Sequence, residues 1–188
     1  YTQVDPVVKE AIQILQKAAA NKGDLTGLPT GYYKLDEMTA GWQQSDLIII
    51  AGRPAMGKTS FALSIAKNIA IDYRKPVAFF SLEMNNVQLI NRLISNVCEV
   101  PGSKILSGQL SEDEWVRFDK RLPQMQGAPL YVDDTPGLSV FELRTKARRL
   151  KREHDIQLLM IDYLQLMNAN GTVSYTHLRA HETELHLV

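Results

Sequence analysis

Leu47-Ile48-Ile49-Ile50-Ala51-Gly52-Arg53-Pro54-Ala55-Met56-Gly57-Lys58-Thr59-Ser60 is the stretch on which the fold turns. It opens as a continuous apolar run of strand length, passes through a glycine- and proline-marked turn, and leaves on helical periodicity (Phe61, Leu63, Ile65, Ala66, Ile69). Residues 52–59 match G-x-x-x-x-G-K-[ST], the spacing of a phosphate-binding loop. The glycines let successive backbone N–H groups turn inward onto phosphate oxygens with no Cβ in the way. Lys58 supplies a point charge for β- and γ-phosphates, and the Thr59 hydroxyl is a ligand for Mg²⁺. A helix that starts here also points its positive end at the anion. Gly52, Arg53, Pro54, Ala55, Met56, Gly57, Lys58, Thr59 and Ser60 are therefore the candidate ATP-binding set. A bare glycine turn with a surface lysine would need neither the strand before it nor the helix after it.

The pattern repeats downstream. Pro76 opens a second apolar run, Val77-Ala78-Phe79-Phe80, and Val87 to Val97 reads as a helix. Leu130-Tyr131-Val132 and Leu158-Leu159-Met160-Ile161 read as further strands, with a helix from Ser139 to about His154 between them. Ser111 with Glu114, and Ser139 with Glu142, have the spacing of capping boxes. Strands alternating with helices predict an α/β fold, a parallel sheet covered on both faces. Ahead of it, Asp5-Pro6 reads as a cap and first helical position, followed by the apolar stripe Val8, Ala11, Ile12, Leu15, Ala18 and Ala19. Asn21 to Asp24 ends that helix, which either packs on its own domain or forms an arm for a neighbour.

Two acids stand where nucleotide chemistry needs them. Asp162 follows four apolar strand residues, the arrangement that sets a carboxylate beside the loop's Mg²⁺. Glu83, in Phe80-Ser81-Leu82-Glu83-Met84, follows a neighbouring strand. It reads equally as the group that polarises an attacking water or as an ordinary helix-start glutamate. Asp133 and Asp134 read as turn residues before Pro136, and Asp36 as a solvated loop residue. Arg144, Lys146, Arg148, Arg149, Lys151 and Arg152 put six positive charges on one helix, read as a solvated face.

Composition excludes several classes. Over 188 residues, 21 Lys+Arg balance 21 Asp+Glu, so bulk charge does not announce a nucleic-acid binder. The single cysteine, Cys98, rules out a disulfide within the chain and reads as a buried thiol. No apolar run approaches the ~18 residues of a membrane span, and the expectation is of no signal peptide. The chain starts at Tyr1 and reads as a fragment of a cytoplasmic protein.

The motif wording resembles one family. Thr26-Gly27-Leu28-Pro29-Thr30-Gly31, Leu35-Asp36, Thr39-Ala40-Gly41 and the 52–59 loop are similar to the DnaB family of replicative DNA helicases. So are Phe80 to Met84, Asp133-Asp134-Thr135-Pro136-Gly137 and Ile161-Asp162-Tyr163-Leu164-Gln165-Leu166-Met167. The resemblance covers roughly Asp5 to Asn170. It implies a RecA-like P-loop fold and an ATP- and Mg²⁺-dependent hexameric ring that moves 5′-to-3′ on single-stranded DNA at a replication fork. Primase and a helicase loader are implied as partners. The resemblance assigns Glu83 and Lys58 as catalytic, Thr59 and Asp162 as metal ligands, and the Pro6–Ala20 helix as a linker that docks on the next subunit. It implies the strand order 130–132, 77–80, 158–161, then a position filled by later chain, then 47–50. The arginine finger, the sensor and the DNA-binding loops lie past Asp162 in that family. Two alternatives remain: another RecA-like ring ATPase such as a recombinase, or a nucleotide-binding assembly module that does not hydrolyse ATP.

The expected organisation is a linker helix and linker over 1–25, the N-terminal part of a RecA-like ATPase domain over 26–171, and a non-native tail over 172–188. The run Val173 to Thr183 reads as a translated transposon-end adapter from library preparation. On that reading His177 and His181 are not a metal pair.

Overall fold

A computed structural model describes residues 4–20, 25–53 and 55–167. The expected tail, His177, His181, Pro54 and the helix-ending Asn21–Asp24 lie outside the described residues. The chain divides into two compact units, at residue 47.

In the first unit, α1 (Val4–Ala20) is the expected amphipathic helix, starting ahead of the predicted cap so that Asp5 lies in its first turn. Ile12 and Leu15, on its apolar stripe, are 49% and 71% exposed. A short helix not foreseen from sequence, α2 (Tyr33–Thr39), follows. Leu28 and Trp42 form an antiparallel bridge beside it, with mutual N–H to C=O bonds of 2.7 and 2.9 Å. The bridge explains two glycines of the family wording. A Cβ on Gly27 would lie 2.5 Å from the Trp42 carbonyl oxygen, and Gly41 sits at φ +78° with its own Cβ position 2.7 Å from Gly27. Neither position accepts a side chain.

Asp36 corrects the sequence reading. It is buried, not solvated, and its carboxylate accepts from Thr30 N (2.8 Å), Thr30 Oγ1 (2.7 Å) and Gly31 N (3.1 Å). A buried carboxylate is tolerable only with such donors around it.

The second unit is the α/β layer structure. Its elements are α3 (Lys58–Lys67), extended by a π-turn over Asn68–Asp72, then β1 (Val77–Ser81), α4 (Asn86–Cys98) and α5 (Gly102–Ser107). They continue with α6 (Glu112–Arg121), a 3₁₀ turn, β2 (Leu130–Asp133), α7 (Val140–His154) and β3 (Leu158–Asp162). The three strands are parallel in the order β2-β1-β3, with Val77 in register with both Leu130 and Leu158. That order agrees with the one implied for these three strands.

The fourth expected strand is absent from the sheet. Residues 47–51 carry no strand hydrogen bonding, and Leu47 and Ile49 are 81% and 58% exposed. Apolar sequence supplied the tendency to extend, but a strand also needs a partner ladder, and among the described residues this segment has none.

Burial in β1 is that of a strand covered on both faces. All five residues of β1 are buried. Ala78 and Phe80 pack with Leu138 and Ile156, with Leu143 and Leu150 of α7 around them. A second cluster, Ile71, Leu93, Val97, Cys98 and Val100, joins α4 to Ile105 of α5 and Phe118 of α6. Burial pushes the Cys98 thiol up, against a smaller downward pull from Arg121, so it stays protonated and inert.

Both expected capping boxes form: Ser111 N donates to Glu114 Oε2 at 2.8 Å, and Ser139 N to Glu142 Oε2 at 2.9 Å. A third, Asn85 with Gln88, starts α4. The Glu114 carboxylate, also bonded by Lys104 Nζ at 2.7 Å, is held down at about 2, the Lys104 hydrogen bond contributing most. On α7, Arg144, Arg148, Arg149, Lys151 and Arg152 are exposed as expected. Lys146 is not part of that solvated face, because its ammonium reaches Asp133 Oδ2 and Thr135 Oγ1, both at 2.6 Å.

Candidate nucleotide site

The phosphate-loop candidate leads directly into α3. Met56 N donates to the Arg53 carbonyl at 3.2 Å, which folds the loop back on itself. Ala55 (φ +63°) and Gly57 (φ +85°) are left-handed, and Gly57 is the N-cap of α3. A Cβ on Gly57 would meet nothing within 4 Å, so what glycine provides there is the backbone angle alone. The cap has no side-chain acceptor, which leaves the first N–H groups of α3 for an external anion. Gly52, Arg53, Ala55, Met56, Gly57 and Ser60 are exposed, and Lys58 and Thr59 are half-buried.

Lys58 turns toward the end of β3. Its Nζ lies 5.6 Å from the centroid of the Tyr163 ring, within cation–π reach. Tyr163 follows Asp162, so the loop lysine reaches the end of the strand that carries the acid.

Asp162 is 8% exposed, and its Oδ2 is buried with no hydrogen-bond partner among the described residues. A buried carboxylate oxygen without a donor calls for a cation. With the Thr59 hydroxyl it would supply the oxygen ligands that Mg²⁺ takes from protein while keeping waters and phosphate oxygens.

Glu83 is held by the end of β1. Leu82 N donates to the Asp162 carbonyl at 2.7 Å, and Ser81 stands in register with Asp162. The buried Ser81 hydroxyl donates to the Met84 carbonyl at 2.7 Å and accepts from Met84 N at 3.2 Å, closing the turn that carries Glu83. Glu83 is exposed and lines a cleft of about 620 Å³ with Ser60, Arg92, Asn91 and Asn96. Ser60 and Glu83 thus share one opening beside the start of α3.

Sequence reasoning did not single out Tyr163, Ser81 or Asp134 for the site. Asp134 is more than a turn residue: its carboxylate accepts from Asn86 N (2.8 Å) and Asn86 Nδ2 (2.9 Å), tying the end of β2 to the start of α4. Asp133 does close a turn, accepting from Thr135 N at 2.9 Å.

Comparison with known proteins bears on the family and the fold. Residues 27–184 match the model of the DnaB-like helicase C-terminal domain. The replicative DNA helicase DnaC of Bacillus subtilis (strain 168) is 40% identical over 171 residues, 91% of this chain and 38% of that protein. The replicative DNA helicase DnaB of Geobacillus stearothermophilus is 43% identical over 149 residues, 79% of this chain and 33% of that protein. A DnaB-like replicative helicase, solved in a study of its interactions with primase, gives a TM-score of 0.79 at 32% identity, covering 90% of this chain and 41% of that one. A second solved structure, an ATPase domain, superposes with a TM-score of 0.82 at 30% identity, covering 98% of this chain and 65% of that one. The fold is the RecA-like α/β fold of these domains, and the chain spans well under half the length of the curated relatives.

Proposed function

Because the chain belongs to the DnaB-like helicase C-terminal domain family, we propose that it is the nucleotide-binding part of an ATP-hydrolysing replicative DNA helicase. The observation that carries this reading is the contact between Lys58 and Tyr163, which brings the phosphate loop to the strand end bearing Asp162.

Bound ATP with Mg²⁺ supplies the phosphoanhydride whose cleavage releases the driving energy. The chain's own residues bind and orient it. N–H groups at the start of α3 and the Lys58 ammonium receive the phosphates. Thr59 and Asp162 would hold the metal. Glu83, carried on the turn closed by Ser81, accepts a proton from water at the mouth of the cleft. The longer protein would act as a hexameric ring on single-stranded DNA at the replication fork, moving 5′-to-3′ in the cytoplasm, with primase and a loader as partners. The exposed apolar stripe of α1 supports its role as the arm that docks on the next subunit. No helix among the described residues is long and apolar enough to cross a membrane. Neither the recombinase nor the non-hydrolysing alternative has an observation in its favour.

In the full-length protein, Lys58→Ala should abolish nucleotide binding. Glu83→Gln should keep binding and lose turnover by about 10²–10⁴-fold, the usual contribution of a positioned base. Equilibrium binding of a fluorescent ATP analogue and steady-state phosphate release measure the two effects. Parent-level hydrolysis by Glu83→Gln would remove Glu83 from its role, and parent-level binding by Lys58→Ala would end the loop assignment.

A further inference from the structure

We infer that Tyr163 is a positioning residue for Lys58, holding the ammonium over the mouth of the phosphate loop before a nucleotide arrives. The inference rests on the phosphate-loop reading above and adds a residue to it. A lysine side chain has four rotatable bonds and about 2 kcal/mol of rotamer entropy, so an unheld ammonium samples much space. Here the chain is held at both ends. A Cβ placed on Gly52 would stand 3.3 Å from Lys58 Cγ and 3.7 Å from Cδ, so the stem runs across the bare glycine backbone. At the tip, Nζ lies 5.6 Å from the Tyr163 ring centroid.

No carboxylate pairs with Lys58 among the described residues. The backbone under the ring is itself anchored: the Tyr163 carbonyl accepts from Leu166 N at 3.1 Å, closing the short turn over Leu164–Leu166. Tyr163 also follows Asp162, whose buried Oδ2 has no hydrogen-bond partner among the described residues, so the ammonium is held at the strand end that bears the expected metal ligand. An aromatic face suits this task better than a carboxylate. It attracts the cation weakly and leaves all three N–H donors for phosphate oxygens. An ion pair would compete with the ligand.

The test compares Tyr163→Leu, Tyr163→Phe and Lys58→Ala in the full-length protein. Without nucleotide, competitive acylation read by mass spectrometry reports how freely the Lys58 amine meets the reagent. Losing the ring should speed Lys58 labelling by about two- to fivefold, the worth of an exposed cation–π contact. The Kd for a fluorescent ATP analogue should weaken by a similar factor, while turnover at saturating ATP stays at the parent level. Tyr163→Phe, which keeps the π face, should match the parent in all three readouts. Should Tyr163→Leu not fold, Tyr163→Gln fills the same place without a π face and carries the comparison. Parent-like labelling and binding without the ring would overturn the inference, as would a Tyr163→Phe variant as impaired as Tyr163→Leu. If Lys58→Ala binds nucleotide as tightly as the parent, the loop reading fails and this inference falls with it. If Lys58→Ala loses binding while Tyr163→Leu does not, only the inference falls.

Discussion

Ile48-Ile49-Ile50-Ala51 and Val77-Ala78-Phe79-Phe80-Ser81 have much the same claim to be buried strands, and by β-propensity three isoleucines in a row have the stronger one. The structure separates them completely. The second segment is β1, buried at every residue between β2 and β3. The first is irregular and exposed. The difference lies outside either segment. β1 has a parallel ladder on both sides, so its backbone groups find partners as its side chains leave water. Residues 48–51 have no ladder among the described residues, and burying their backbone unpaired would cost roughly 1–3 kcal/mol per group. Water is the cheaper partner. Propensity expresses how well a side chain fits a pleated, packed surface, and it has no effect where that surface is missing.

The largest effect should come from supplying the missing neighbour. The family resemblance puts a strand from later chain between β3 and residues 47–50. A protein extended through that segment should turn Ile48–Ile50 into a strand. Their amides, which in the 188-residue chain should exchange at nearly free rates, should then gain protection approaching global unfolding, several orders of magnitude. The β1 amides should be among the most protected in both proteins. Hydrogen–deuterium exchange decides it: unchanged, fast exchange at 48–50 in the extended protein would mean that the implied strand order is wrong. The same contrast bears on handling. An exposed apolar segment beside an unpaired sheet edge favours aggregation, so the 188-residue chain alone should be poorly soluble and without DNA-stimulated ATP turnover.

Side-chain truncation should reproduce the contrast on a smaller scale. Phe80 is fully buried against Leu138 and Ile156, and Phe80→Ala should cost about 3–5 kcal/mol. Ile49→Ala removes an exposed side chain and should stay within about 0.5 kcal/mol. Denaturant midpoints of the two variants, taken on the soluble fraction of the 188-residue chain, measure both. A loss at Ile49 comparable to that at Phe80 would show that residues 47–51 pack in solution.

What could be read from the sequence follows the same line. Lys58, Thr59, Glu83 and Asp162 stood out because their chemistry depends on residue type and short spacing, both of which a sequence displays. The strands of the second unit and its two expected capping boxes were legible for the same reason, since a short apolar run or a serine three residues before a glutamate is local. The misreadings all concern partners brought in through space. Asp36 looked solvated because nothing in its neighbourhood announces that its carboxylate folds back onto Thr30 and Gly31. Lys146 was one positive charge in a run of six until β2 supplied Asp133. Tyr163 read only as family wording until the fold carried Lys58, 105 positions earlier, onto its ring.

The smallest effect concerns how the sheet is pinned at its end. Asp133, the last residue of β2, is partly buried, which by itself raises its pKa. The hydrogen bond from Lys146 and those from Thr135 outweigh that and hold the carboxyl below its ordinary value. A carboxyl whose pKa is lower folded than unfolded contributes stability above the unfolded value of about 3.9. That contribution is lost as the pH falls through the lower folded value, because protonation then favours the unfolded chain. Lys146 is more than a third exposed, so solvent screening limits the pair to roughly 1 kcal/mol or less. Asp133→Asn should therefore lower the denaturant midpoint slightly at pH 7 and flatten the loss of stability below about pH 4. Residues 48–51 contain no ionisable side chain, so Ile49→Asn should leave the pH profile parallel to the parent's. Midpoints measured across the acid range for both variants compare the two regions a last time. If Asp133→Asn keeps the parent's full acid slope, the ion pair at the end of β2 is not coupled to folding, and the sheet is held by its ladders and core alone.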